Sequence, residues 1–281
     1  MPCVINVLCT AKYQRQQNRV TVQMKTVILC GGLGTRLREE TEFRPKPMVN
    51  IGGRPILWHI MKIYAHYGFR DFILCLGYKG DQIKDFFCHY EMMNNDVTLE
   101  LGYPEKTTIH QHHDEMGWKV TLADTGEKAL KGARLKRIEE YVDGDTFMVT
   151  YGDGVGDINL NKLVRFHQDH GKIATVTGIG VTSRFGELKL EGDSVLAFYE
   201  KPETGSNLAS GGFFVFERDI FDYLWDDDSC DLEYGPLEKI AREGQLKVYK
   251  HDGMWACMDN LRDMDHLNAL WSEKKAFWKV W

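Results

Sequence analysis

The stretch Thr26-Val27-Ile28-Leu29-Cys30-Gly31-Gly32-Leu33-Gly34-Thr35-Arg36-Leu37 decides the fold. Its first residues are apolar or β-branched without interruption, the pattern of a strand buried on both faces. Three glycines in four positions follow at once, and then a cation, Arg36. Glycine lets a backbone come close to a bound group, and successive N–H groups in such a loop can cradle a phosphate or the edge of a base. Two common phosphate loops do not fit. G-x-x-x-x-G-K is absent, and the dinucleotide fingerprint wants a glycine where Leu37 stands. What remains is a strand, a glycine turn and two cations, Arg36 and Lys46 of Pro45-Lys46-Pro47. Both are donors only, which suits a polyphosphate. A tight turn carrying two solvated cations is the plainer alternative.

Outward from that strand the pattern alternates. Residues 55–67 carry apolar side chains at helical spacing, and 72–76 read as a second buried strand. Asp81 is placed to cap a helix carrying Ile83, Phe86 and Phe87. Strand, loop, helix, strand, helix predicts a parallel sheet with right-handed crossovers. Further strands are expected at 147–151, 173–178, 211–216 and 246–250, and helices at 159–170 and 261–271. Helical segments are expected at 218–224 and 234–243, and a hairpin at 187–201 around Gly192-Asp193. Residues 92–125 are polar, with short strands. No repeat or linker interrupts the chain, so one α/β domain with β insertions is expected over 24–281.

Two carboxylates stand out. Asp153, in Tyr151-Gly152-Asp153-Gly154, lies just past a buried strand, where open α/β sheets bind ligands. It could hold Mg²⁺, which takes one or two carboxylates plus substrate phosphates, or serve only as an Asp-Gly turn. Asp259, taken alone, reads as the N-cap of the last helix. Lys201, stiffened by Pro202, could reach an anionic group or simply be exposed. His110, His112 and His113 cluster without a second set at zinc spacing, so they read as a polar strand or loop. Trp271, Trp278 and Trp281 either cover the fold or form a subunit interface.

The 281 residues carry 35 Lys plus Arg against 41 Asp plus Glu, a net charge of −6. An acidic chain with no basic block is a poor candidate for nucleic acid. Seven scattered cysteines without C-x-x-C argue for a reduced, cytoplasmic protein with neither disulfide framework nor zinc site. No apolar run approaches the roughly 20 residues of a membrane span.

Taken together, Leu29 to Leu37, Pro45-Lys46-Pro47-Met48-Val49, Tyr151-Gly152-Asp153-Gly154, Glu200-Lys201-Pro202, Gly211-Gly212-Phe213-Phe214 and Met258-Asp259 resemble the sugar-1-phosphate nucleotidyltransferases. The resemblance runs from Met24 to Trp281. Ile56 to Met61, Gly132 to Arg137, Arg184-Phe185-Gly186 and the Trp-rich end are similar to the branch using CTP and α-D-glucose 1-phosphate. It implies a Rossmann-like core and Mg²⁺-dependent cytidylyl transfer giving CDP-glucose and pyrophosphate, for deoxysugars of surface polysaccharide such as O-antigen. By resemblance Leu29, Gly31, Gly32, Gly34, Thr35, Arg134 and Gly152 contact the nucleotide. Arg36 grips the departing pyrophosphate and Lys46 lies near the α-phosphate. Asp153 and Asp259 would hold the metal, and Gly186, Glu200, Lys201 and Gly212 would contact the sugar phosphate.

The resemblance also implies a homo-oligomer. Another nucleotide or hexose, or a non-catalytic regulatory subunit, are the alternatives. Three features depart from the family pattern: Ser210 before Gly-Gly-Phe-Phe, the segment 232–236, and Cys257 where a proline is common. Residues 1–23 fall outside the pattern and read as an N-terminal extension or an upstream start.

Overall fold

The computed structural model describes residues 24–103, 106–110, 113–180, 187–191, 194–199 and 208–281, with 187–199 as backbone only. A seven-stranded sheet forms the middle. Its strands are β1 (Thr26–Leu29), β2 (Asp71–Leu76), β3 (Lys119–Asp124), β4 (Thr146–Tyr151), β5 (Ala174–Gly180), β6 (Leu208–Glu217) and β7 (Leu246–His251). Their spatial order is β7-β5-β6-β4-β1-β2-β3. Only β6 runs antiparallel to its neighbours β4 and β5; the other pairs are parallel.

The uninterrupted apolar run of β1 is explained by two cores, one on each face of the sheet. Ile28 points into a core shared with the helices Ile56–His66 (α1) and Leu160–His170 (α4 below) and with the C-terminal segment. Val27 and Leu29 point into the other, shared with the helix Lys131–Arg137, the 3-10 helix Arg218–Tyr223 and the short α-helix Glu238–Arg242, the last two falling within the helical segments expected there. Period-2 alternation divides the strand between them. We label the helices α1 (Ile56–His66), α2 (Gly80–Cys88), α3 (Lys131–Arg137), α4 (Leu160–His170) and α5 (Leu261–Ser272).

Element ends follow local chemistry. The Asn159 side chain accepts from Lys162 N at 3.0 Å to start α4, and Gly171 closes it in the left-handed region at φ 57°. Helix α2 differs from expectation. Its N-cap position is Lys79, at φ 50°, so Asp81 falls inside the first turn rather than on the cap. Helix α5 is capped by Asn260, whose side chain accepts from Asp263 N at 3.1 Å. The Asp263 carboxylate answers on Asn260 N at 3.2 Å. Asp259 is therefore not the cap, because the better-placed Asn260 has taken that role.

Strand β3 and helix α3 were not individually anticipated. The first is a half-exposed edge strand and the second has only seven residues, so neither shows a clear period. Glu187–Glu191 and Ser194–Tyr199 do pair antiparallel, as the hairpin reading required. His110 bonds Thr98 at 2.7 Å, and His113 lies between Glu91 and Glu115 at 2.9 and 3.2 Å. Those partners make a polar loop of the histidine cluster; His112 lies outside the described residues.

The C-terminal tryptophans cover the fold. Trp278 is 1% exposed, and the rings of Trp271, Trp278 and Trp281 surround His59 of α1 at centroid distances of 4.7, 6.1 and 6.2 Å. Truncating a fully buried tryptophan costs about 3–5 kcal/mol, so this cap is a substantial share of a domain's stability. Among the described residues no helix is long and apolar enough to cross a membrane, and the described cysteines are free.

Candidate active site

In the sheet register, Leu29 stands opposite Cys75 of β2 and Tyr151 of β4. Three parallel strands therefore end on one line, and their following loops meet there. β6, running the other way, brings its entering residues to the same edge, with Phe213 opposite Thr150. A cavity of about 550 Å³ opens at this edge. Leu29, Gly31, Gly32, Gly34, Thr35, Arg36, Lys46, Arg134, Gly152, Asp153 and Asp259 line it. Gly211 reaches the wall, and Gly212 lies one residue beyond. Gly186, Glu200 and Lys201 are outside the described residues.

The glycine loop is shaped by what lies beneath it. A Cβ on Gly31 would sit 2.0 Å from Nη1 of Arg134, so any larger residue there would have to displace that hydrogen-bonded guanidinium. Gly34 has φ +63°, and a Cβ there would meet Thr41 at 2.6 Å. Thr41 in turn donates its hydroxyl to Gly34 O at 3.0 Å, closing the turn that presents Arg36. Arg134 is only 4% exposed. Its guanidinium donates to the carbonyls of Gly31 (2.9 Å), Leu76 (3.0 Å), Gly126 (2.8 Å) and Glu127 (3.2 Å), and to the Thr125 hydroxyl (2.9 Å). One side chain thus ties together the loops after β1, β2 and β3. Burial lowers its pKa from the usual arginine value, leaving it a cation at any working pH.

The charged centre is assembled by a second, smaller device. Gly154–Gly156 pairs antiparallel with Trp255–Cys257, Gly154 facing Cys257. Met258 N donates to Asp153 O at 2.9 Å. This ribbon sets Asp153 and Asp259 side by side. Lys46 reaches in from a turn stiffened by Pro45 and Pro47. Its Nζ lies 2.6 Å from Asp153 Oδ2 and 2.7 Å from Asp259 Oδ1. Arg36, 77% exposed in its side chain, donates to the other oxygen of Asp259 at 2.8 Å.

Burial works to lower the Lys46 pKa, but the Asp153 and Asp259 carboxylates outweigh it and hold it above the usual lysine value. Burial likewise works against ionised Asp259, and Lys46 with Arg36 overcomes it, so the Asp259 pKa stays below the ordinary carboxylate range. Two carboxylate oxygens and the Cys257 sulfur lie within 4.8 Å of one another. Hard oxygen donors beside a phosphate-sized cavity fit a divalent cation such as magnesium. Burial and the neighbouring Asp153 push the Cys257 thiol well up.

Some of the wall had no signal in the sequence. Lys131 at the start of α3 and the Tyr151 hydroxyl both bond the Glu233 carboxylate, and Lys131 also stands 5.4 Å above the Tyr151 ring. Burial, then Glu233, raises the Tyr151 pKa far above that of a free phenol. Trp255 donates its indole N–H to Gly211 O at 2.9 Å, fixing the far wall. A lysine opening a helix and a tryptophan in a three-residue strand carry no pattern that names their partners.

A strand-end glycine loop, two cations and a carboxylate pair around one cavity define a site for transferring a phosphate-bearing group. The profile of the nucleotidyl transferase family matches residues 25–275, and the chain belongs to that family. Glucose-1-phosphate cytidylyltransferases of Salmonella typhi and Salmonella typhimurium are each 46% identical to it over 260 residues, covering 92% of this chain and the whole of theirs. The crystal structure of HddC from Yersinia pseudotuberculosis shares the fold with a TM-score of 0.63 at 24% identity, covering 88% of this chain and 99% of that one.

Proposed function

We propose that this enzyme transfers the cytidylyl group of CTP to α-D-glucose 1-phosphate, giving CDP-glucose and pyrophosphate. The observation that carries the reading is the Lys46 ammonium set between Asp153 and Asp259 beneath the glycine loop. The cytidylyltransferase relatives, alike over their whole length, supply the substrate pair.

A phosphate oxygen of the sugar phosphate attacks the α-phosphorus of CTP. The bond from that phosphorus to the bridging oxygen breaks, and pyrophosphate carries the electron pair away. The nucleophile is already an anion, so no general base is needed, and catalysis is mainly positioning and charge neutralisation. Gly31, Gly32 and Gly34 present backbone N–H groups to the nucleotide, with Leu29, Thr35 and Gly152 around them. Arg36, exposed and paired with Asp259 at the cavity edge, takes the departing pyrophosphate. Lys46 offsets charge at the α-phosphate, and Arg134 keeps the loops in place. Asp153 and Asp259 would hold Mg²⁺, which would supply positive charge to offset that of the phosphates.

Gly186, Glu200, Lys201 and Gly212 take the sugar phosphate in this reading, within one domain over 24–281. The enzyme is cytoplasmic and homo-oligomeric in the same reading. Exposed Met93, Leu101, Tyr103 and Met116, in the segment before β3, support the second point. A pyrophosphate-release assay with CTP, UTP, dTTP, ATP and GTP against several sugar 1-phosphates tests the reading. Release is expected with CTP and α-D-glucose 1-phosphate. A preference for another nucleotide, or no release with any pair, refutes it.

A further inference from the structure

We propose that Cys257 turns the Asp153–Asp259 pair into a mixed oxygen–sulfur site that takes a thiophilic divalent ion, Cd²⁺ or Zn²⁺, in competition with the hard ion. The inference rests on the reading that these two aspartates hold the metal. The Cys257 sulfur and one oxygen of each carboxylate lie within 4.8 Å of one another. That spacing lets all three face one ion.

The sulfur's place is fixed by the backbone. Cys257 faces Gly154 across the ribbon, next to Asp153, and Met258 N is tied to Asp153 O at 2.9 Å. The pairing sets the Cys257 backbone beside Asp153, and from there its sulfur lies within reach of both carboxylates. Magnesium binds oxygen and gains nothing from a thiol. Thiolate ligands select softer ions, and three protein donors with an open fourth position suit tetrahedral zinc. A proline at 257, common in the family pattern, would offer no third donor.

The coordination step balances simply. The soft ion replaces the Lys46 ammonium between the carboxylates, and the thiol proton leaves to water. The bound ion then has three anionic donors, and Lys46, on a flexible four-carbon stem, turns toward the phosphate side of the cavity.

The test uses the full chain, stripped of metal by a chelator and titrated with Cd²⁺ alone. One ion binds per chain, and an ultraviolet cadmium–thiolate charge-transfer band grows with it. Cys257→Ser loses the band and weakens Cd²⁺ binding on the order of tenfold or more, the scale of a lost metal-site partner. Mn²⁺ binding, read by electron paramagnetic resonance, survives in Cys257→Ser and is lost in Asp153→Asn.

Cadmium binding and band unchanged in Cys257→Ser would overturn the inference while leaving the aspartate reading intact. Mn²⁺ binding that survives Asp153→Asn would instead defeat the aspartate reading.

Discussion

Acid should loosen the C-terminal cap through a single residue, His59. It is 0% exposed. Its Nε2 lies 2.8 Å from Ile51 O, and since a carbonyl only accepts, that nitrogen carries the hydrogen. Its Nδ1 lies 3.4 Å from Trp278 Nε1, whose indole N–H only donates, so that nitrogen is bare. Both ring positions are thus matched to the neutral imidazole. Burial lowers the pKa to about 4; the Ile51 bond opposes it, and the nearby Arg54 and Lys279 charges add to the lowering.

The free imidazole titrates near 6.5. Between about pH 6.5 and 4 the unfolded chain binds a proton that the folded chain refuses, so stability falls as pH falls through that window. It is fully present above about 6.5 and levels off below about 4. At 1.36 kcal/mol per pH unit the loss totals about 3 kcal/mol, a large fraction of a domain's stability. Urea melts from pH 7.5 to 4 measure it. His59→Gln keeps a donor for Ile51 and an acceptor for Trp278 but cannot titrate, so its stability should change less over the window by that amount. Parallel pH curves for the two proteins would refute the reasoning.

Two further substitutions probe the framework of the site. Arg134→Lys leaves the carbonyls of Gly31, Leu76 and Gly126 without their shared donor; about 2–3 kcal/mol of stability is lost, and the KM for CTP rises more than kcat falls. Unchanged melts and KM would mean the guanidinium does not hold the glycine loop. Gly212→Ala forces a side chain onto φ +74°, with its Cβ 2.4 Å from Tyr151; thermal melts should show a loss of about 1–3 kcal/mol, and an unshifted melting curve would contradict the close approach.

Much of the fold was legible because burial writes itself locally. β1 is apolar or β-branched throughout because both faces meet a core, and α1 is buried along most of its length because the tryptophan cap covers the side the sheet leaves free. The rule that ligands sit beyond the carboxyl ends of parallel strands pointed to Asp153, which lines the cavity at that edge. What stayed illegible is short or half-exposed. β3 is an edge strand whose burial pattern is mixed, and α3 ends before a helical period can be read.

The site itself was legible at its strand ends and opaque elsewhere, and Asp259 shows why. Locally it sits beside a helix start, where an aspartate is ordinarily a cap. Only the pairing of Trp255–Cys257 with Gly154–Gly156 carries it to Asp153, and that pairing joins segments a hundred residues apart. The same holds for Arg134: its sequence neighbours suggest a charged helix surface, yet sheet order β1-β2-β3 stacks three loop carbonyl sets over it. A buried cation there lets a net-acidic chain offer positive charge to phosphates at one point. Its donors are held by backbone carbonyls and the Thr125 hydroxyl, whereas Arg36 and Lys46 are held by the carboxylates of Asp153 and Asp259. In the proposed reaction the labour divides accordingly: the fixed Arg134 charge shapes the loop, and Arg36 and Lys46, paired with Asp153 and Asp259 in the free enzyme, would turn to the polyphosphate.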